Sequence, residues 1–240
     1  MKLSSAATIF DLNPYDENSV QMHNLGQRAE TSDGRVFRYA WMGEAITPGR
    51  LVQGPAINAT LTNMAVISGA LGAKQISFTN AATTTTAKYW DEGYAFASYA
   101  TGAGQTWKIK SLPALVSGAS SIVYLEDSIA VALDTTTKLG LVQNPYSQVL
   151  MGATATFEPV GASMITYTTQ YYGWLQTRGV CAIYSDGTIP AGGAAENDGS
   201  VSGAIDAMVE ADWVVNPSIG RGYQIAGAQG YWEPIFLTIE

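Results

Sequence analysis

The sequence predicts an all-β protein: one or two β-sandwich or β-barrel-like domains of short antiparallel strands, behind an extended N-terminal arm. Three observations carry this. Aromatic and β-branched residues alternate with small or polar ones in short runs, as Phe37, Tyr39 and Trp41 do around Arg38 and Ala40. Glycine, proline, asparagine or aspartate bounds each run. The runs also recur at the close intervals typical of sandwiches and barrels.

In chain order, residues 1–34 show little sustained period and hold a cluster of charges punctuated by Asn13-Pro14, which predicts an arm with one short helical turn around Val20 to Gln27. Asp33-Gly34 is a turn, and the first strand runs from Arg35 to Met42. Ile46-Thr47-Pro48-Gly49 turns the chain into a short strand at Leu51-Val52. Strands are then expected at Lys74 to Phe78, Tyr94 to Tyr99, Thr106 to Lys110, Ser121 to Leu125 and Lys138 to Leu141. The threonine run Thr83 to Thr86 reads as a loop edge or strand end. A small, uncharged stretch from Met151 to Thr156 marks a boundary, giving a β-domain at 35–155 and a C-terminal β-domain at 156–240, which either fold separately or share one core.

Beyond it come Met164 to Thr169, then a hairpin of Gly173 to Thr177 and Val180 to Tyr184 joined at Arg178-Gly179, and a last strand at Ile235 to Ile239. The stretch "SGAIDAMVEADW" fits a helix and a β turn equally. One internal echo stands out. Phe37 to Val52 and Gly179 to Ala195 both run aromatic-bearing strand, glycine turn, isoleucine, proline, glycine and small residues.

Composition narrows the function classes. Only 13% of the 240 residues are charged, against 47% hydrophobic, which predicts a neutral polar surface suited to permanent assembly. The net charge is −8 and the basic residues are scattered, so no phosphate-tracking patch forms and nucleic acid is not an expected partner. A single cysteine, Cys181, rules out an intramolecular disulfide framework and reads as a small buried hydrophobe. The N-terminal stretch is no secretory h-region, and the uncharged segment Leu51 to Ala73 is too diluted by polar residues, glycine and proline for a membrane span.

Catalytic sets are sparse. The one histidine, His23, lies in the arm, which leaves a hydrolytic triad without a positioned base, and one His plus one Cys cannot build a zinc site. The carboxylate groups Asp91-Glu92, Glu126-Asp127 and Asp206, Glu210, Asp212 lack the spacing of a calcium loop and read as solvated turns; no cofactor is expected. "TGAGQTW" (Thr101 to Trp107) resembles a phosphate loop superficially, yet no βαβ unit surrounds it, and a hairpin turn is the expectation. Among the aromatics, Trp41, Trp107 and Trp174 fall in alternating strands as core, whereas Trp90, Trp213 and Trp232 lie near turns as candidates for exposed contacts.

Taken in order, "GRVFRYAWMGEAITPGRLVQGPA", "GYAFASYATGAGQTWKIKSLP", "VYLEDSIAVALDTTTKLGLVQNPYSQVL" and "YYGWLQTRGVCAIYSDGTIPAGGAA", leading to "IGRGYQIAG" and a terminal "FLTI", resemble the capsid decoration (cement) proteins of tailed bacteriophages. The resemblance rests on ordered glycine, proline and aromatic patterns over nearly the whole chain. It implies a mainly β, homotrimeric virion protein on the outer capsid surface, bound to the major capsid protein, assembled in the host cytoplasm and not an enzyme. The expected contacts with shell or neighbouring subunits are Phe10, Tyr15, His23 and Arg28 of the arm, with Trp90, Trp213 and Trp232. Two other classes compete: a carbohydrate-binding or adhesive module using Trp90 or Trp232, and a glycoside hydrolase using Glu126 and Asp127.

Overall fold

The computed structural model describes residues 13–56, 61–81, 83–152, 158–197, 200–209, 218–223 and 228–240. The described residues form an all-β protein with no α-helix. Contacts group the chain into two compact units, one built on Ala56–Asn144 and one on Leu3–Pro55 with Pro145–Glu240. The strands at 36–41 and 51–53, expected to belong with the middle of the chain, therefore pair with strands beyond 145 instead.

The first unit is a closed barrel of β4 (Met64–Ser68), β5 (Gln75–Thr79), β6 (Tyr94–Tyr99), β7 (Thr106–Ser111), β8 (Ser120–Leu125) and β9 (Lys138–Val142), in the order β4-β5-β8-β7-β6-β9. Each strand alternates, so Ile76 and Phe78, Trp107 and Ile109, and Val123 and Leu125 point inward and fill the barrel. Thr101 to Trp107 is the turn and start of the antiparallel β6–β7 pair, as its glycine pattern predicts.

The second unit holds β1 (Arg28–Glu30), β2 (Val36–Trp41), β3 (Leu51–Gln53), β10 (Leu150–Met151), β11 (Pro159–Ala162), β12 (Tyr172–Ser185), β13 (Ala194–Asn197), β14 (Ile205–Ala207), β15 (Gly220–Gly222) and β16 (Tyr231–Thr238). Its centre differs from the expected hairpin. β12 is one strand of 14 residues, and at Gln176 to Arg178 it bulges and changes partner, from β2 to β16. Gly179, at φ 89°, serves this change of partner and packs against the Arg35 side chain; it makes no turn.

The two ends of β12 anchor two lobes with the same topology. In the first, β2 pairs with β12, β12 with β11, β11 with β3 and β3 with β10, and a parallel bridge from Met42 to Val149 closes the ring. In the second, β12 pairs with β16, β16 with β15, β15 with β13 and β13 with β14, and the parallel pair Ser185 and Ile205 closes it. Irregular hydrogen bonds repeat as well. Gly49 N donates to Ser163 O at 2.9 Å and Gly192 N to Gly222 O at 2.8 Å, while Gly152 N donates to Leu51 O at 3.1 Å and Met208 N to Ala194 O at 3.0 Å.

The cores correspond in the same register: Ala40 with Ile183, Ile46 with Ile189, Val52 with Ala195, Val149 with Ile205, Val160 with Ile219, and Leu175 with Ile235. The echo between Phe37 to Val52 and Gly179 to Ala195 is thus the opening of each lobe. Between β3 and β10 the first lobe carries the whole barrel unit, where the second lobe passes from β13 to β14 in seven residues, 198–204.

Other expectations change in the details. No helical turn occupies Val20 to Gln27, and Met164 to Thr169 makes only a single bridge at Tyr167, because this stretch follows β11 around the end of the lobe. The ambiguous "SGAIDA" segment contains β14, whose Ile205 enters the core. The last strand is longer than expected, Tyr231–Thr238, since it spans the second half of β12.

Candidate functional surface

An outward set of side chains alternates with the core set on β2 and β12. In the first lobe this outer face holds Phe37, Tyr39 and Trp174, all nearly inaccessible, with Trp41 and Tyr172 stacked beside them at 5.9 Å. The arm covers it. Asn18 bridges to Tyr172, Met22 N donates to the Tyr39 hydroxyl at 3.1 Å, and the His23 ring lies 5.1 Å from both Tyr39 and Trp174. Leu25 and Ala29 then bury against the same aromatics while β1 pairs with β2. Burial under this cover raises the Tyr39 phenol above its ordinary pKa, with a smaller opposing effect from the Met22 amide.

Among the described residues, no segment covers the matching face of the second lobe. Cross-strand pairs Val180 and Phe236, Ala182 and Pro234, and Tyr184 and Trp232 occupy it. Val180 is 39% exposed where Phe37 is 0%, Phe236 is 38% where Gln176 is 0%, and Trp232 is 55% where Tyr172 is half-buried. The Trp232 ring stands over Gly49, where an added Cβ would sit 2.4 Å from the ring, and its Nε1 donates to Pro48 O at 3.2 Å. Arginines frame the face. Arg221 pairs across from Phe236, Arg178 from Thr238, and the Arg50 guanidinium lies 4.0 Å from the Tyr184 ring centre. A groove of about 530 Å³ continues from it, lined by Arg35, Arg178, Val180, Tyr223 and Phe236 among others.

The residues singled out in the sequence are not gathered in one place. Phe10 and Trp213 lie outside the described residues. Tyr15 is half exposed, and Arg28 forms ion pairs with Glu30 at 2.8 Å and Glu240 at 2.9 Å. His23 is an internal clasp of the arm rather than a free contact. Trp90 is corrected outright: it is 2% exposed, part of the barrel core, and donates Nε1 to Thr85 at 3.2 Å, because the turn that bears it folds over the barrel. Trp232 is exposed as expected, whereas Val180, Tyr223, Phe236, Arg178 and Arg221 went unnoticed. The signal for the two on β12 was present. From Arg178 to Tyr184 both alternating sets are free of carboxylates and mostly apolar, so both faces of this strand read as packing surfaces.

Asp91 accepts the Leu112 amide at 2.9 Å, and burial, partly opposed by that bond, raises its carboxyl above the usual range. Lys74 donates to the Glu126 carbonyl, not to its side chain, and Asp206 accepts its neighbour's amide from Ala207; Glu210 and Asp212 lie outside the described residues. Among the described residues no three His, Cys, Asp or Glu side chains group as metal ligands. Cys181 is buried, which pushes its thiol up to about 12, and its sulfur lies 3.7 Å from that of Met164. No described helix is long and apolar enough to cross a membrane. Compared with protein-family models, with curated proteins and with solved structures, the chain matches none.

Proposed function

We propose that this chain is a structural protein of a tailed-phage particle, which binds the outer surface of the shell as a homotrimer and bridges major capsid protein subunits. The observation that carries the reading is that each unit has its own outward apolar side chains. The barrel exposes Tyr94, Tyr99, Ile122, Tyr124 and Val142, and the two-lobed unit exposes Val180, Tyr223, Tyr231, Trp232 and Phe236. A protein whose work is to bridge needs adhesive surfaces rather than a pocket, and many copies make modest contacts effective. The ordered resemblance to decoration proteins supports the same reading, as does a surface poor in charge.

Adding purified protein to empty shells of its own virus tests this. Saturable occupancy at fixed lattice positions, with a higher temperature of shell dissociation, is the expected result; absence of binding to both empty and filled shells overturns it. A second reading, carbohydrate binding, has one observation in its favour, the exposed Trp232 ring set edge-on to Tyr184 at 5.2 Å. Glycan-array binding that vanishes in Trp232→Ala would establish it in place of the first.

A further inference from the structure

The groove of about 530 Å³ lies where β12 changes partner, and every residue that lines it is described. Its volume falls in the range of small-ligand sites. One side comes from the β1–β2 hairpin, which brings Glu30, Asp33 and Arg35. The other side is aromatic: the Tyr223 and Phe236 rings stand 6.3 Å apart, tilted by 35°, and both are exposed. Between the sides, Gly179 makes room for Arg35, since a Cβ there would sit 2.9 Å from the arginine stem. Arg178 and Val180 flank that glycine and point outward.

We infer that this groove is a saccharide-binding site, and that its ligand is a sugar unit carrying one carboxylate. The inference goes beyond the shell-binding reading and does not rest on Trp232, which lies outside the groove.

Charge and ring chemistry select this ligand. Arg35 is held by Asp33 at 2.8 Å, and Glu30 gives one carboxylate oxygen to Arg28 at 2.8 Å. Arg178 is exposed and takes part in no ion pair among the described residues. Its guanidinium is therefore the available cation of the groove, and the planar fork of an arginine matches a carboxylate. Tyr223 and Phe236 offer apolar ring faces against which the C–H side of a sugar ring packs. The second oxygen of Glu30 is an acceptor for a hydroxyl. Glu30 and Asp33 also oppose a ligand with several negative charges, such as a nucleotide. A wholly apolar ligand would cover Arg178 and Glu30 without giving them partners, at a cost in free energy. One anionic group, several hydroxyls and one apolar face together describe an acidic sugar.

The test is an amide NMR titration of the full chain with glucuronic acid, N-acetylneuraminic acid, neutral glucose and a short peptide ending in a free tyrosine carboxylate. At least one acidic sugar should shift the amides of Val180, Tyr223 and Phe236, and glucose should bind at least about tenfold more weakly. Arg178→Gln should bring the acidic sugar down to the level of glucose, and Tyr223→Ala should weaken both, each with unchanged far-ultraviolet circular dichroism. Trp232→Ala should leave the titration as it is. Absence of shifts at the groove with both acidic sugars overturns the inference, as does undiminished binding in a folded Arg178→Gln variant. Tighter binding of the peptide than of either sugar overturns it in favour of a peptide carboxylate, and loss of binding in Trp232→Ala moves the site out of the groove. Shell binding is scored separately: wild type that ignores sugars but decorates shells sinks the inference alone, and wild type that binds the acidic sugar but no shell sinks the functional reading alone.

Discussion

Gln170 and Gly230 stand at the same point of the two lobes. Each has a left-handed backbone, φ 67° and 84°, and each amide donates 2.8 Å to the carbonyl at the end of the neighbouring strand, Met42 or Ser185. No atom lies within 4 Å of a Cβ placed on Gly230, so only backbone strain separates the two sites. Gly230→Ala should cost about 1 kcal/mol, the lower end of the left-handed penalty. Gln170→Gly should be neutral or stabilising by about 0.5 kcal/mol, since relief of strain exceeds the entropy of the added glycine. Denaturant midpoints of the two variants check the opposite signs.

Tyr167 supplies a second prediction. Its ring lies where a side chain on Gly173 would be, 2.3 Å from the missing Cβ, and its hydroxyl donates to Trp174 O at 2.6 Å in the buried interior. Burial raises this phenol well above its ordinary pKa, so the donor persists through alkaline pH. Tyr167→Phe keeps the packing and leaves a buried carbonyl unpaired, which should cost about 1–3 kcal/mol in equilibrium unfolding.

Asp134 in the barrel unit should titrate below the ordinary aspartate range. The Thr101 hydroxyl at 2.7 Å, with the hydroxyl and amide of Thr136, holds this carboxyl down to about 2. A depressed folded-state pKa means the carboxylate's stabilisation is present above the unfolded value near 4 and is lost as pH falls toward about 2. NMR titration of Asp134 should show this midpoint, and Asp134→Ala should flatten the acid limb of the stability curve in the same window.

The lobe correspondence predicts that the barrel unit is separable. Gly54 lies against Pro145, with a Cβ at Gly54 only 3.2 Å from the Pro145 carbonyl, so the two ends of the insertion nearly meet. Removing 56–144 and joining Pro55 to Pro145 through a short glycine linker should leave a chain that unfolds cooperatively. Amide NMR spectra superimposable on those of the same residues in the full chain would support this, and a collapsed, poorly dispersed spectrum would refute it.

Alternation made the barrel strands legible, because each has one wet and one buried face and the pattern of period two survives in sequence. β10, β11 and β13 to β15 escaped notice for the opposite reason. They are two to four residues long and, β10 apart, contain glycine or alanine, and they owe their place to pairing rather than to hydrophobic contrast. Arg178-Gly179 looked like a hairpin turn because local sequence cannot distinguish a reversal from a strand that exchanges neighbours. Trp232 was legible as exposed and Trp90 was not, since the fate of an aromatic near a turn depends on which way that turn folds. The exposed face of the second lobe needed the arm to be located first, because it stands out only beside the covered face of the first.

One strand serving as a wall of both lobes also decides how this unit fails. Peeling β16 away strips the second half of β12, and loss of β2 strips the first, so damage at either end spreads along a shared backbone. The amides of Tyr172–Ser185 should therefore exchange with solvent only when everything opens at once. A protease meets no half-open intermediate to exploit: the unit holds whole or lets go whole.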